Sequence, residues 1–306
     1  MLEVSHVTKK YGRTAACRDV CFHLDPGTVT VLLGPNGAGK STIMKSIIGF
    51  LRYSGTIRVN GLDNRSLEAR RILGYVPELP FLYPNLTVSE HMEFLARAYR
   101  LQNYSERSEE LLKRFELTGQ KRKFGDELSK GMQQKLSLCL GLLPDPQVIL
   151  LDEPMIGLDP KAIWELKAMI GEMRASGKTL LVSTHIIDTV DMLWDRTVIM
   201  QGGTVRANIS RGELEDTGRS LEELFFEVTE QEASDAGNFP KVRSSAGGRG
   251  RKKSRRCADD SSCTESTDCA ESRNCNDSRR CADDRSCTDD RSCTESSNCA
   301  DGRVRR

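Results

Sequence analysis

Lys40 and Ser41 close the run Gly34-Pro35-Asn36-Gly37-Ala38-Gly39-Lys40-Ser41, which matches the G-x-x-x-x-G-K-S pattern of a phosphate-binding loop at every constrained position. Glycines let such a backbone bend round phosphates with successive N–H groups turned inward, and the helix that follows adds the positive end of its dipole. In that pattern Lys40 reaches the β and γ phosphates, the Ser41 hydroxyl binds Mg²⁺, and Thr42 belongs with the nucleotide-contacting residues. A second chemical element is Val148-Ile149-Leu150-Leu151-Asp152-Glu153, an aliphatic run that ends in two carboxylates. A buried strand holds such acids rigidly. Asp152 is the candidate Mg²⁺ ligand, in the second shell or through water, and Glu153 the candidate to orient and polarise an attacking water. The chemistry these pieces spell is nucleoside triphosphate hydrolysis.

Between the two lies Leu128-Ser129-Lys130-Gly131-Met132-Gln133-Gln134-Lys135, which resembles the signature motif of ABC ATPases. The order of the other pieces agrees: Tyr11 before the loop, Tyr75-Val76-Pro77-Glu78 after it, then the signature, the acid-tipped run, Gly157-Leu158-Asp159-Pro160 and Ser183-Thr184-His185. The resemblance covers residues 1 to 228. It implies an ATPase that binds ATP and Mg²⁺. Tyr11 would stack on adenine, and two subunits would sandwich two nucleotides. Each γ phosphate would then meet the loop of one chain and Ser129 and the Gly131 N–H of the other, at a helix N-terminus. The resemblance also puts Asp159 at the dimer interface, and His185 against the γ phosphate and the water-orienting acid.

Four positions depart from the family pattern. Glu78 stands where many relatives carry Gln, which adds a carboxylate able to bind Mg²⁺ and negative charge near the phosphates; activity is expected to survive it. Lys130 and Met132 replace a commoner Gly and Gln in the signature, and Met155 replaces a frequent Thr. Lys130 either attracts nucleotide across the interface or is a solvated surface charge. Glu78, Ser-Lys-Gly-Met and the segment Ser220 to Phe225 are similar to the branch that exports drugs, antibiotics, peptides or lipid-linked substrates through separately encoded permeases.

The elements that must position these residues read as strand, loop and helix in order. Strands are expected at Leu2 to Val7 and Thr28 to Leu33, and a helix at Ser41 to Phe50. Apolar residues three and four apart predict helices at Val88 to Arg100, Glu106 to Glu116 and Gly131 to Leu142, an inserted helical subdomain over about 86–145. A buried strand at Val148 to Leu151, a helix at Lys161 to Ala175, and strands at Thr179 to Ser183 and Thr197 to Met200 complete a parallel α/β core. Leu221 to Val228 closes the folded part as a short amphipathic helix, with the ATP-binding domain spanning 1–230. The expected fold is thus α/β: a P-loop NTPase core with a parallel sheet, an antiparallel β subdomain implied by the resemblance, and the helical signature subdomain.

A hydrophobic content of 38% supplies a buried core, and a net charge of +1 argues against a basic nucleic-acid binder; no specific nucleic acid is expected. No aliphatic run approaches the ~20 residues that span a bilayer, and the sequence opens on strand-like residues instead of a signal peptide. The expectation is a cytoplasmic chain, held at the membrane by a separate transmembrane permease and paired as a homodimer or heterodimer of ATPase subunits. The segment Glu78 to Val88, with Leu79, Phe81, Leu82 and Tyr83, is either the docking groove for that permease or ordinary core. A non-transport ABC ATPase with a regulatory, translation-related or metal-responsive role is the alternative, disfavoured by a single cassette and an insertion of ordinary length.

Residues 231–256 read as a Gly- and Ser-rich linker whose part 241–256 carries eight basic residues, and 257–306 as a tail in which cysteine returns every six residues, each with an acid two positions on. Six residues turn a helix by about 240° and would scatter the cysteines, whereas an extended strand would keep them on one face. Two readings stay open: a low-complexity, disordered tail, or a thiol–carboxylate array for a soft metal or a cross-link.

Overall fold

The computed structural model describes residues 1–187 and 194–235; the linker from residue 236 onward and the cysteine repeat lie outside them. Two sheets organise these residues. The first is antiparallel, in the order β2-β1-β4-β5, from β1 (Leu2–Tyr11), β2 (Thr14–Leu24), β4 (Ser54–Val59) and the two-residue β5 (Leu62–Asp63). The second runs β10-β9-β3-β8-β7-β6, from β3 (Val29–Leu33), β6 (Leu73–Val76), β7 (Val148–Asp152), β8 (Thr179–Thr184), β9 (Arg196–Gln201) and β10 (Thr204–Ser210). It is parallel except for the β9–β10 hairpin at its edge.

The aliphatic runs of β3, β7 and β8 follow from burial on both faces. Val29, Val31, Leu33, Ile149, Leu151, Leu180 and Val182 turn to one core, and Leu32, Val148, Leu150 and Leu181 to the other. The first core packs under α3 (Val88–Tyr99), α4 (Tyr104–Arg114), α5 (Lys130–Leu142) and α6 (Pro160–Ala175). The second holds α1 (Lys40–Ile47) between the parallel sheet and the antiparallel one. Short helices α2 (Leu67–Ile72) and α7 (Arg211–Asp216) and the longer α8 (Leu221–Asp235) complete the set. Helix α8 runs seven residues beyond the expected Val228. Leu221, Leu224, Phe225 and Val228 pack on the core, and the helix they hold carries the polar residues after them.

The helical segment between β6 and β7 is built on caps and on one large aromatic. Thr87 and Glu90 form a reciprocal capping box at the start of α3. Phe115, at the end of α4, is 1% exposed among Leu111, Leu112, Leu136 and Leu142 of the same cluster. Phe115→Ala is expected to cost about 3–5 kcal/mol through lost burial and the cavity left behind, read as a lowered urea midpoint at unchanged m.

Candidate nucleotide site

The loop Gly34–Gly39 leaves the C-terminal end of β3 and enters α1, so the sheet delivers it to the edge where β7 and β8 also end. Gly39 caps α1 with φ 103°, and a Cβ there would lie 2.6 Å from the Ala16 carbonyl oxygen of β2; both the turn and the close approach require glycine. A cavity of about 320 Å³ opens at this edge, lined by Ala16, Asn36 to Thr42, Glu78 and Glu153. Lys40 is buried, its ammonium donating to the carbonyls of Gly34 at 2.7 Å and Pro35 at 3.3 Å.

Two carboxylates face the loop from the end of β7, and each is held differently. Asp152 is fully buried. Its Oδ1 accepts from Ser41 Oγ at 3.2 Å and Ser183 Oγ at 2.5 Å, and its Oδ2 from the Tyr75 hydroxyl at 3.3 Å. Burial first, and the Asp152 charge second, push the Tyr75 phenol well above its usual pKa, so it stays a donor to that acid. Glu153 sits with φ 47°, a left-handed backbone that costs about 1–3 kcal/mol in a non-glycine residue and turns its side chain toward Lys40. Its amide N–H donates to Ser183 Oγ at 3.1 Å. Its Oε1 stands 3.3 Å from Lys40 Nζ and 3.0 Å from His185 Nδ1. Lys40 and Glu153 are each 6% exposed, so the pair interacts through little water.

The donor set suits Mg²⁺. Ser41 and Asp152 offer a hydroxyl and a carboxylate within hydrogen-bond distance of each other beside the loop, Glu78 adds a carboxylate to the cavity wall, and all are hard oxygen ligands without a thiol or imidazole among them.

Comparison with known proteins gives the same answer. A family profile described as ABC transporter matches residues 17–156. The ABC-type transporter ATP-binding protein EcsA of Bacillus subtilis is 36% identical over 242 residues, which cover 76% of this chain and 98% of that protein. The chain belongs to the ABC transporter ATP-binding family. The Nod factor export ATP-binding protein I of Rhizobium etli is 35% identical, covering 66% of each chain. The dimeric post-hydrolysis structure of the ATP-binding cassette MJ0796, bound to ADP and Pi, superimposes with a TM-score of 0.61 at 28% identity, over 69% of this chain and 98% of that one. The chain is accordingly an ABC ATPase.

In this ABC ATPase the remaining motif residues lie elsewhere. Ser129 is the N-cap of α5, accepting from the Met132 N–H at 3.3 Å, and Gly131 opens that helix beside the Gly157 carbonyl. Neither lines the loop cavity. Asp159 caps α6 through the Ala162 N–H at 2.9 Å and meets Lys135 Nζ at 2.7 Å, so the signature helix and α6 are tied together. Lys135 first, then the Ala162 N–H, hold the Asp159 carboxyl below the usual carboxylate range. Tyr11 stands at the tip of the β1–β2 hairpin, half exposed, with Lys9 Nζ 4.9 Å from its ring centroid, and is not part of the cavity lining.

The Asp152 partners Tyr75 and Ser183 lie inside motifs noticed in the sequence, but nothing in their spacing announced the contact. Met132 and Met155 turn against the helical core, which accounts for apolar residues at those two positions. Lys130 is exposed. His185→Ala is expected to lower kcat about tenfold to a hundredfold while ATP affinity stays within about threefold, because it removes a partner that orients Glu153 and leaves the loop intact; steady-state phosphate release and equilibrium binding separate the two.

Proposed function

We propose that this ABC ATPase works as a pair that closes around two Mg-ATP and powers a separate membrane permease, with export of a drug, antibiotic, peptide or lipid-like substrate as its task. The observation that carries the reading is the half-built site. One chain supplies the loop, Glu78 and Glu153 at a single cavity, with Asp152 bonded to Ser41 and His185 to Glu153 behind it, while Ser129 and Gly131 open a different helix outside it. A second chain brings its own Ser129 hydroxyl and Gly131 N–H to the γ phosphate, with Asp159 at the interface between the two chains. The export relative named above supports the direction.

In the proposed reaction the inward N–H groups of Asn36 to Gly39 and the Lys40 ammonium bind the phosphates, with Pro35 and Gly34 shaping the loop, Thr42 beside it and Tyr11 stacked on adenine. Ser41, Asp152 and Glu78 would hold Mg²⁺, which when bound offsets phosphate charge. Glu153 orients the attacking water and accepts its proton, and His185 keeps that carboxylate aimed. The left-handed backbone of Glu153 fixes its reach before nucleotide arrives. Residues 1–230 form the ATP-binding domain in this reading, with the signature on the helical part over about 86–145, 231–256 a linker whose first five residues still belong to α8, and 257–306 an appended tail.

The permease would dock in an open groove of about 620 Å³ lined by Phe50, Tyr75, Pro77, Phe81, Leu95 and Tyr99 among others, with Phe81 85% exposed at its rim. His91 fixes the loop before α3, accepting from the Tyr83 N–H at 2.9 Å and meeting the Thr87 carbonyl at 2.8 Å. Leu82, by contrast, turns into the core. Among the described residues no helix is long and apolar enough to cross a membrane, so the permease would hold the chain at the cytoplasmic face. The test has two arms. Light scattering of Glu153→Gln with Mg-ATP should give a dimer that Ser129→Arg abolishes. Detergent extracts should yield the chain bound to an integral membrane protein, a complex that Phe81→Asp breaks while ATP binding persists. A monomer in the first arm sinks the paired mechanism, and a chain without membrane partner in the second sinks the transport role.

A further inference from the structure

Away from the nucleotide cavity, the antiparallel sheet carries a mixed donor set on its exposed face. His6 on β1 and Asp19 and Cys21 on β2 are all exposed, and one imidazole nitrogen, one carboxylate oxygen and the thiol sulfur lie within 4.8 Å of one another. His6 Nδ1 and Asp19 Oδ1 are 2.8 Å apart, and the His6 amide N–H donates to Cys21 Sγ at 3.1 Å.

The sheet is shaped to bring the three together. A regular register would not serve: β1 slips against β2 between Val4 and Val7 and against β4 between Ser5 and Thr8. In the slipped region His6 and Asp19 both take left-handed backbones, φ 53° and 51°, which His and Asp tolerate better than most side chains. The His6 carbonyl is pushed toward β4, where Gly55, at φ 102°, leaves room; a Cβ there would be 2.3 Å from the His6 oxygen. The Asp19 amide N–H donates to Thr8 Oγ1 at 3.0 Å and fixes the other side of the bulge. Three strands thus cooperate to turn one imidazole, one carboxylate and one thiol to a common point in solvent.

We propose that His6, Asp19 and Cys21 form a site for a borderline divalent ion of the Zn²⁺ class. Nitrogen, oxygen and sulfur ligands are the set Zn²⁺ takes, and tetrahedral bonds of about 2.0–2.3 Å put neighbouring ligand atoms roughly 3.3–3.8 Å apart. Exposed side chains close the longest separation by small rotamer changes. The thiol proton leaves to solvent as the metal–sulfur bond forms, and the open side of the sheet leaves the fourth position to water. Such an ion clamps β1 to β2 within the hairpin whose tip carries Tyr11.

Alkylation of the full-length chain, read cysteine by cysteine in peptide mass spectra, tests this without interference from the cysteine repeat. The protein is reduced, stripped with a chelator, and treated with N-ethylmaleimide with and without micromolar Zn²⁺. The expected result is that Zn²⁺ slows modification of Cys21 about tenfold or more, and that His6→Ala and Asp19→Asn each abolish the protection. Cys17, on the same strand, is buried and its thiol is pushed up to about 11 by that burial, so its lack of reaction in every variant shows that β2 stays folded. Equal Cys21 rates with and without Zn²⁺ would overturn the site. So would protection that survives both substitutions, since the thiol would then act without the imidazole and carboxylate.

Discussion

Glu153→Gln is expected to reduce ATP hydrolysis by about a hundredfold or more while leaving ATP binding close to wild type. The surroundings of the carboxylate set this outcome. Glu153 stands at the end of a buried strand with its backbone anchored to Ser183 and its Oε1 between Lys40 and His185. Glutamine keeps the size and the backbone, and can still accept from Lys40, so the loop and its phosphate contacts persist. What it cannot do is take a proton from water at neutral pH. Single-turnover phosphate release against nucleotide binding by calorimetry separates the two effects. A variant that hydrolyses within threefold of wild type would remove Glu153 from the proposed chemistry and point to another base.

Lys40→Ala is expected to act on two properties at once. Loss of the ammonium removes a charged donor to the phosphates worth roughly 2–3 kcal/mol, about a 30- to 150-fold rise in Kd for ATP. It also leaves Glu153, 6% exposed, without its cation, which costs about 3 kcal/mol of folding stability. The two losses can be told apart by adding Glu153→Gln. The double variant should recover most of the stability, because no buried charge is left alone, and none of the affinity. Urea unfolding of the four proteins completes the cycle; additive stability losses would show that the Lys40–Glu153 pair carries no coupling.

Much of this site is legible in the sequence because its chemistry is local. The loop must present consecutive N–H groups, so its eight residues are contiguous, and the acids of β7 follow an aliphatic run that burial on both sheet faces demands. Parallel strands β3, β7, β8 and β9 and helices α1, α3, α4, α5 and α6 fall within a few residues of their sequence patterns, whereas the parallel edge strand β6 is not among the expected strands. Strands with one face in solvent are harder to read. The expected strand from Leu2 to Val7 continues to Tyr11, and β2, β4, β5 and β10 give no clear period, because bulges shift the phase of β1 and β2 and half-exposed positions dilute the rest. The antiparallel sheet follows from the family resemblance and not from any pattern in these strands.

Contacts made at a distance escape the sequence for a different reason. Ser183 and Tyr75 reach Asp152 only because β8 and β6 flank β7, and nothing in Tyr75-Val76-Pro77-Glu78 encodes a hydroxyl aimed at an acid 77 residues away. The cluster of His6, Asp19 and Cys21 is likewise invisible until two bulges turn its side chains to one face.

The place of β3 in the sheet bears on how the protein is made. Its neighbours are β8 and β9, and it pairs with no strand nearer in sequence, so the first half of the chain cannot seat it. During synthesis the phosphate loop therefore stays unsupported until residue 201 has left the ribosome, and loop closure over more than a hundred residues makes that step slow. A nascent chain halted earlier would carry the loop motif and still not retain ATP, and its unpaired aliphatic strand would be a natural target for chaperones.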